Sequence, residues 1–596
     1  MTINDLYNLL KTATGKLRRR IMGAIANWWG PLGSGGATGT YERITWTTFS
    51  QTIDDRIIYV SSTDGNDAYN GLSSVPSGGG AGSPGPKRTI NAAYSLMRDG
   101  YADWALLKKG DTWTELITLR RGGRSAAQPM LFGSYGTGAR PIINVAAGTE
   151  AAFITGLPGW DGGPPTSTQA HNTAFIGLHI YGSGYTGSNQ LNGITFQQYA
   201  DNVLIEDCMF ERLKTGVVLQ LSDHDVTAGH ISHNHAVRGC VFVDQFCTTN
   251  TSGGNGTAQG IFGGNAGETT NIDGLLMEFN IFDHNGWLDP IENPAAFLTW
   301  VRHSGYISNN ILNCVLRHNI IMRSDGVMIR CGGSVENNFT LNCYGPNLTG
   351  QGTNPEPAGI TIEVFNNVAI DGRDIIQAGT TTNVPGPLAM DIGNCASANI
   401  HDNIWAHNTS GTGAFGVRVW DNANTQGQTR TIDSGIFKSN IIYDWGGVGF
   451  SFDLVPGDTQ ASINIQDNVF DNALDNNLLI SQSAAVTNGG NTSSGNHFYS
   501  QHVTGPIEQW FLVSGVTSTL AQWMLAMTPD DTTSVSGRVT FVDSTRTEAT
   551  YDASIGGSGT RASFIAACRA QSKDTWDDRY TAPAINAYIR AGFTPV

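Results

Sequence analysis

One short phrase recurs ten times between residues 179 and 468: a small polar residue, a run of aliphatic or aromatic residues, then a polar or glycine-rich break. The phrases are HIYGSG from His179, CMFERL from Cys208, CVFVDQ from Cys240, NIFDHNG from Asn280, NIIMRSDG from Asn319, NFTLNC from Asn338, NVAIDG from Asn367, NIWAHN from Asn403, NIIYDW from Asn440 and NVFDNA from Asn468. Their spacings of 29, 32, 40, 39, 19, 29, 36, 37 and 28 residues suit one structural unit stacked many times with loops of unequal length. Each run is too short for a helix, rich in Ile, Val and Phe, and bounded by Asn and Gly, so it reads as a strand ending in a tight turn. A single unit cannot bury its own apolar side, so the units must stack and share a core. Asparagine at one register of successive units can bond amide to amide along the stack. The expected fold is all-β, a parallel β-helix solenoid whose flanks and loops carry the function.

Composition narrows what such a rod can do. The chain carries 34 Lys and Arg against 50 Asp and Glu, a net charge of −16, which opposes nucleic acid and other polyanions at long range. An anionic ligand would therefore need a local cluster of Arg or Lys. The cysteines, Cys208, Cys240, Cys247, Cys314, Cys331, Cys343, Cys395 and Cys568, form no CxxC pair and mostly lie inside apolar phrases. They read as buried small hydrophobes and not as a disulfide framework. No cofactor is expected, and no run of 18 apolar residues offers a transmembrane segment.

Residues 1–40 stand apart. KLRRRIMGAIANWWG, from Lys16, has a basic start and a short apolar run but lacks the small-x-small cleavage site of a secretory signal. Leu6, Leu10, Ala13, Leu17, Ile21, Ala24 and Trp28 instead fall at helical spacing and define one apolar face. Such a stripe needs a partner, either a docking protein, sibling copies in a coiled coil, or a membrane surface. Gly30 to Thr40, GPLGSGGATGT, is a linker by composition.

From Ile57 onwards, IIYVSSTDGNDAYNGLS, PKRTINAAYSL, KKGDTWTE and QPMLFGSYGTGARPIIN resemble the opening region of right-handed parallel β-helix proteins of the pectate-lyase-like type. In that family a helix caps the open end of the rod, and Thr89 before INAAYSLM is an N-cap signal for it. The resemblance implies an opening and capping region over 41–145, coils over 146–505 and a C-terminal segment over 506–596. The tail from Tyr551 to Phe593 reads as two helices with a turn near Asp574 to Tyr580, and is similar to segments attached to bacterial and bacteriophage β-helix proteins.

The densest polar stretch runs from Asn280 to Asn338. Coils stack same-phase residues about 4.8 Å apart, so distant groups converge on one side of a rod. A trough built from Asp283, His303, Arg323, Asp325 and Arg330 is the expected catalytic centre, with Trp287, Asp289, Glu292, Trp300, Trp405 and Trp420 as sugar-binding groups. GVMIRCGGSVENNF resembles a coil phrase of the alginate lyase and chondroitinase-B group, with Arg330 at that group's arginine. The group's lysine base and calcium-holding glutamates have no counterpart here, and Ser308 to Asn310 stand at the lysine position. Elimination would then use His303 or Arg323 as base, with Arg330 stabilising the developing charge. Hydrolysis would instead need two carboxyl groups drawn from Asp283, Asp289, Glu292, Asp325, Glu363 and Asp391. A second cluster, Asp223, His224, Asp225, His230, His233 and His235, has ligand-type residues but matches no metal motif, and metal is not expected there.

The resemblance is strongest to a bacteriophage tailspike, a virion tail protein. It implies a homotrimer that binds and depolymerises a bacterial surface polysaccharide, held to a phage tail or adaptor protein through residues 1–40. A secreted polysaccharide lyase or hydrolase, and a non-catalytic receptor-binding spike, are the alternatives on the same fold.

Overall fold

A computed structural model describes residues 41–596 apart from 156–169, 188–189, 222–224, 227, 249–256, 265–270, 291–302, 309, 345–346, 350–360, 377–382, 385–387, 393–394, 409–414, 421–430, 447, 454–458, 461, 473–477, 483–491, 501–508, 514 and 528–530. The apolar stripe of residues 1–40 thus lies outside the described residues. Three long sheets of parallel strands run the length of the chain, and each coil contributes one strand to each in the order A, B, C. Sheet A begins at Ile57–Val60, sheet B at Thr112–Trp113 and sheet C at Ile117–Leu119. This is a right-handed parallel β-helix, and its sheets start within residues 41–145, the segment expected to hold the entry and cap of the rod.

The ten phrases are ten consecutive strands of sheet B, from His179–Tyr181 to Val469–Asn472. An eleventh, His497–Ser500, follows Asn496. From Ile176 to His497 every corner between sheets A and B is two residues long. The first has positive φ whatever its type, including Asp207 at 56°, Phe279 at 54°, His318 at 60° and Asp402 at 57°. Non-glycine residues resist that conformation by about 1–2 kcal/mol, so something must hold them there.

The second corner residue does so. Asn367 shows the pattern: its backbone N–H and Nδ2 both donate to Asn403 Oδ1 at 3.0 Å, and its Oδ1 accepts the same pair from Asn338 at 2.9 and 3.0 Å. Its Nδ2 also reaches the Val335 carbonyl of the previous coil at 3.0 Å. Asn280, Asn319, Asn338, Asn367, Asn403, Asn440, Asn468 and Asn496 form one continuous buried ladder, closed by Ser534 Oγ. Before Asn280 the position holds Cys208 and Cys240, whose thiols donate to the Phe175 and Ile205 carbonyls. The first of these corners holds Leu178 instead, so the run of side-chain bonds begins at Cys208. All eight cysteines are buried and unbridged.

Inside the rod, Phe210, Phe242 and Phe282 of sheet B stack at 4.8 and 4.9 Å. They face Gly216 of sheet C, where a Cβ would lie 2.7 Å from the Phe242 ring. The open end is capped by helix α1, Ile90–Leu96, whose N-cap Thr89 accepts from the Ala92 N–H at 3.1 Å as expected. Sheet A carries an alternating charge ladder on successive strands, Glu206, Arg238, Glu278, Arg317 and Glu336. Arg238 and Arg317 reach Glu278 at 2.8 and 2.7 Å, which holds the buried Glu278 carboxyl below its usual range against the cost of burial.

Two terminal segments close over the rod. Residues 41–49 run along the A–B edge: Glu42 pairs with His318 at 2.9 Å, Arg238 donates to the Thr45 carbonyl at 2.8 Å, and the Thr47 N–H donates to Glu206 at 3.0 Å. Gly239, at φ 58°, leaves room for Trp46, which a Cβ there would meet at 2.6 Å. After α2, Leu520–Met527, the tail forms three helices where two were expected: α3, Glu548–Ser554, α4, Arg561–Arg569, and α5, Ala582–Gly592. Phe564, Cys568, Ile585, Ile589 and Phe593 pack on the outward side chains of sheet B, among them Ile281, Met322, Phe339, Leu341 and Ile370. Each such apolar side chain contributes roughly 1.5–3 kcal/mol by burial.

Asn367→Ala leaves the Asn338 backbone N–H without its partner, takes one of two acceptors from Asn338 Nδ2 and removes the Nδ2 donor that reaches the Val335 carbonyl. At roughly 1–3 kcal/mol per orphaned group, urea unfolding should show a loss of about 3 kcal/mol or more. A midpoint unchanged from the parent would mean that the corners hold without the ladder.

Candidate functional site

With the tail over sheet B, the loops single out sheet C. From Ile176 to His497 the A–B corners never lengthen, so in those coils the loops of varying length lie in the connections into and out of sheet C. The two strands Ile117–Leu119 and Asn192–Phe196 have Thr118 and Thr195 in a column that continues through Val218, Phe262, Tyr306, Met328, Leu348, Asp391 and Arg418. Phe262 and Tyr306 are half-buried, with rings 5.9 Å apart and nearly parallel.

The five expected catalytic residues divide between two places. His303 and Asp325 precede adjacent strands of sheet C, Gly305–Ile307 and Val327–Ile329, with His303 Nδ1 2.8 Å from Asp325 Oδ2. Both side chains are buried, at 2% and 1% exposure, so neither meets solvent directly. Burial pushes the Asp325 carboxyl up, and the neighbouring His303 opposes that shift. Ser304 and Ser324 bond through their hydroxyls at 2.8 Å beside the pair. Arg330, at the far end of the strand, donates from Nη1 to the Tyr306 hydroxyl at 2.5 Å, and the His303 ring lies 5.8 Å from the Tyr306 ring. An imidazole, a phenol and a guanidinium thus converge, with a buried carboxyl behind the imidazole. Because the phenol oxygen accepts from Arg330, its own O–H can donate outward to a ligand.

Asp283 and Arg323 belong elsewhere, which corrects the expectation of one trough. Asp283 ends a strand of sheet B, is fully buried, and is gripped by Arg323 at 2.8 and 2.6 Å and by Arg569 of α4. Arg569 also holds Asp244 at 2.6 Å, and Asp244 pairs with His284 at 2.9 Å. These charges fasten the tail to the rod.

The tryptophans are corrected likewise. Trp405 is in the core, stacked near Phe437, and Trp445 is buried in the same core. Trp287 is 3% exposed, donates Nε1 to the Arg323 carbonyl at 2.8 Å and lies 4.4 Å from His284, so it packs instead of offering a face to a sugar. Asp289 is half-buried. Glu292, Trp300 and the side chains of Trp420 and Asp391 lie outside the described residues. Glu363 sits on sheet A, accepting from Asn399 at 3.3 Å and 3.6 Å from His401, which hydrogen bonds to Asp402 and then to Glu363 push up to about 9.

In the histidine cluster, positive φ at Asn234 interrupts the alternation that would put His233 and His235 on one side. His233 pairs with Asp201 at 3.0 Å, His235 is buried, and desolvation drives it down to about 4. Asp223 and His224 lie outside the described residues, and among those described no group of three or more His, Cys, Asp or Glu is arranged to hold a metal ion. Tyr306 and Phe262 went unread in the sequence. The signal was the alternation in GYI, which puts Tyr306 outward between Gly305 and Ile307.

No family model matches the chain, and no curated protein matches it. Among solved structures it is similar to the tailspike protein of E. coli bacteriophage HK620 in complex with a pentasaccharide, at 13% identity, 74% of each chain and a TM-score of 0.43. It is similar to a rhamnogalacturonan lyase at 13% identity, 74% of this chain, 87% of that one and a TM-score of 0.35. A lacto-N-biosidase from Eubacterium ramulus is matched at 15% identity over 77% of this chain and 67% of its own, with a TM-score of 0.35.

Removing the Asp283 carboxylate takes away the acid shared by Arg323 and Arg569 under the tail and leaves Arg569 with Asp244 alone to offset it. Asp283→Ala should cost about 3–5 kcal/mol in urea unfolding, the usual loss when one member of a buried ion pair is removed. Arg330→Ala, at the outer end of sheet C, should stay within about 0.5–1 kcal/mol of the parent. The reverse order would return Asp283 to the list of functional residues.

Proposed function

We propose that this chain is a polysaccharide-binding depolymerase whose glycan lies on the outer face of sheet C. The observation that carries this reading is the convergence of Tyr306, Arg330 and the His303–Asp325 pair on the sheet flanked by the loops of varying length. Extended glycans suit a surface that repeats along a rod at about 4.8 Å per coil, and polar groups between aromatic rings suit hydroxyl-rich rings.

Among reactions, elimination fits these groups best. A base takes the proton alpha to a uronate carboxyl, the bond from the neighbouring carbon to the glycosidic oxygen breaks, a carbon–carbon double bond forms, and a proton passes to the leaving oxygen. Tyr306 is the proton-handling group that meets the glycan in this reading, with the buried His303–Asp325 pair behind it, and Arg330 stabilises the charge that develops on the carboxyl. Arg330 would also answer the repulsion that a chain of net charge −16 exerts on an anionic glycan. The finer assignment, to a bacteriophage tailspike that acts as a homotrimer on a bacterial surface polysaccharide, rests on the sequence resemblance and on a distinct segment 1–40 suited to a tail or adaptor protein. A secreted lyase or hydrolase and a non-catalytic spike are the competing outcomes.

Incubation with a panel of capsular and lipopolysaccharide glycans tests this directly, following new reducing ends together with the ultraviolet absorbance of unsaturated uronate. Both signals should appear on the glycan that is cut, and Tyr306→Phe or Arg330→Ala should each slow cutting about 100-fold or more. Reducing ends without absorbance would mean hydrolysis. Binding with no cutting would leave a receptor-binding spike, and no binding on any glycan would overturn the proposal.

A further inference from the structure

The outward column of sheet C changes character at Tyr306. One coil towards the capped end stands Phe262, and one coil further Val218, both in register with it. In the strand Gln259–Gly263 the neighbouring Ile261 turns into the core, which leaves the Phe262 ring outside, half-buried and nearly parallel to the Tyr306 ring at 5.9 Å. Val218, 7% exposed, continues this hydrocarbon strip. Neither side chain has a polar atom, and the backbone of the strand is bonded on both sides, to Thr215–Leu219 and to Gly305–Ile307. A ligand lying over Phe262 therefore meets carbon.

Charge follows the same division. Between Arg238 and His284 the sequence has no Lys, Arg or His, while it has Asp244, Glu268, Asp273, Glu278 and Asp283. The coil that carries Phe262 thus supplies no cation to a bound carboxylate. In the coil before it, Arg212 lies beside the Phe246 ring at 6.0 Å and the buried Lys214 bonds Gln190 at 2.8 Å, both ahead of the strand that holds Val218. A guanidinium does stand on the other side of Phe262, where Arg330 bonds the Tyr306 hydroxyl.

Coils advance by about 4.8 Å, close to the length of one sugar in an extended glycan, so adjacent sugars meet adjacent coils. A sugar carboxylate over Phe262 would lose water without gaining a partner and would face an acidic stretch of chain, whereas the C–H face of a neutral sugar covers an aromatic ring favourably. We propose that the substrate of this site is a heteroglycan in which the uronate at Tyr306 and Arg330 is joined, on the side of the capped end, to a neutral sugar seated on Phe262. Runs of consecutive uronates are excluded by the same surface. This inference rests on the function proposed above and narrows its substrate class.

Two groups of glycans separate the cases: alginate and polygalacturonate, in which every sugar is a uronate, and capsular glycans in which a neutral sugar alternates with glucuronate. Cutting should be confined to the second group. On the glycan that is cut, Phe262→Ala should raise KM about 10-fold with a much smaller change in kcat, and Phe262→Leu, which keeps an outward hydrocarbon, should raise it about 3-fold. Urea unfolding checks that both variants fold, and the Leu variant supplies the reading if the Ala variant does not. Cutting of alginate or polygalacturonate as fast as the heteroglycans, or a KM unmoved by these changes, would overturn the proposal. If a glycan is bound without being cut, the same comparison is read from Kd. No binding to any glycan would instead remove the proposed function, and this subsite with it.

Discussion

The two-residue corner between sheets A and B is the constraint on which this molecule depends. A reversal that short needs positive φ at its first residue, and the chain accepts that strain at Asp207, Phe279, His318, Asn366 and others because the second residue is bonded on both sides. The amides of Asn280 to Asn496 supply those bonds, coil to coil, in the interior where water cannot compete. With the corner fixed, the register of sheets A and B repeats without slippage, which in turn lets Phe210, Phe242 and Phe282 stack and lets Glu206, Arg238, Glu278 and Arg317 alternate in sign along one line. An insertion at this corner would break all three patterns at once. Insertions beside sheet C break none of them, and that is where they occur.

The terminal segments complete the division of faces. A rod of this kind has outward apolar side chains on sheet B, such as Ile320, Phe339 and Val368, which would be exposed along many coils. The tail covers them, and Arg569 is positioned there by Asp244 and Asp283 from two successive coils. The strap formed by residues 41–49 does the same for the A–B edge. Among the described residues, Tyr306 and Arg330 stand on sheet C, apart from the tail on sheet B and the strap on the A–B edge.

Legibility was uneven, for physical reasons visible in particular residues. The phrases around Asn280, Asn319 and Asn367 announced strands, turns and a ladder because those depend on local residue type at one register. The charged stretch from Asn280 to Asn338 announced that something polar converges, and His303, Asp325 and Arg330 do converge. It could not separate Asp283 and Arg323 from them, because the deciding partner, Arg569, lies 286 residues away in sequence. Trp287 and Trp405 look alike in one dimension as aromatic residues near loops, yet both are buried, one against His284 and one in the core. Tyr306 was readable in principle from alternation with Ile307, but a single aromatic residue in a short strand carries little weight until its neighbours are known.

By itself the sequence determined the repeat, the all-β solenoid, the Asn ladder and the capping helix after Thr89. Each of these is written in residues that are close in sequence or in the same register of adjacent coils. Only the tertiary structure decided where the tail folds back and along which edge residues 41–49 run. Those outcomes depend on contacts between segments hundreds of residues apart, such as Trp46 with Trp576 and Asp283 with Arg569, and no local pattern encodes them.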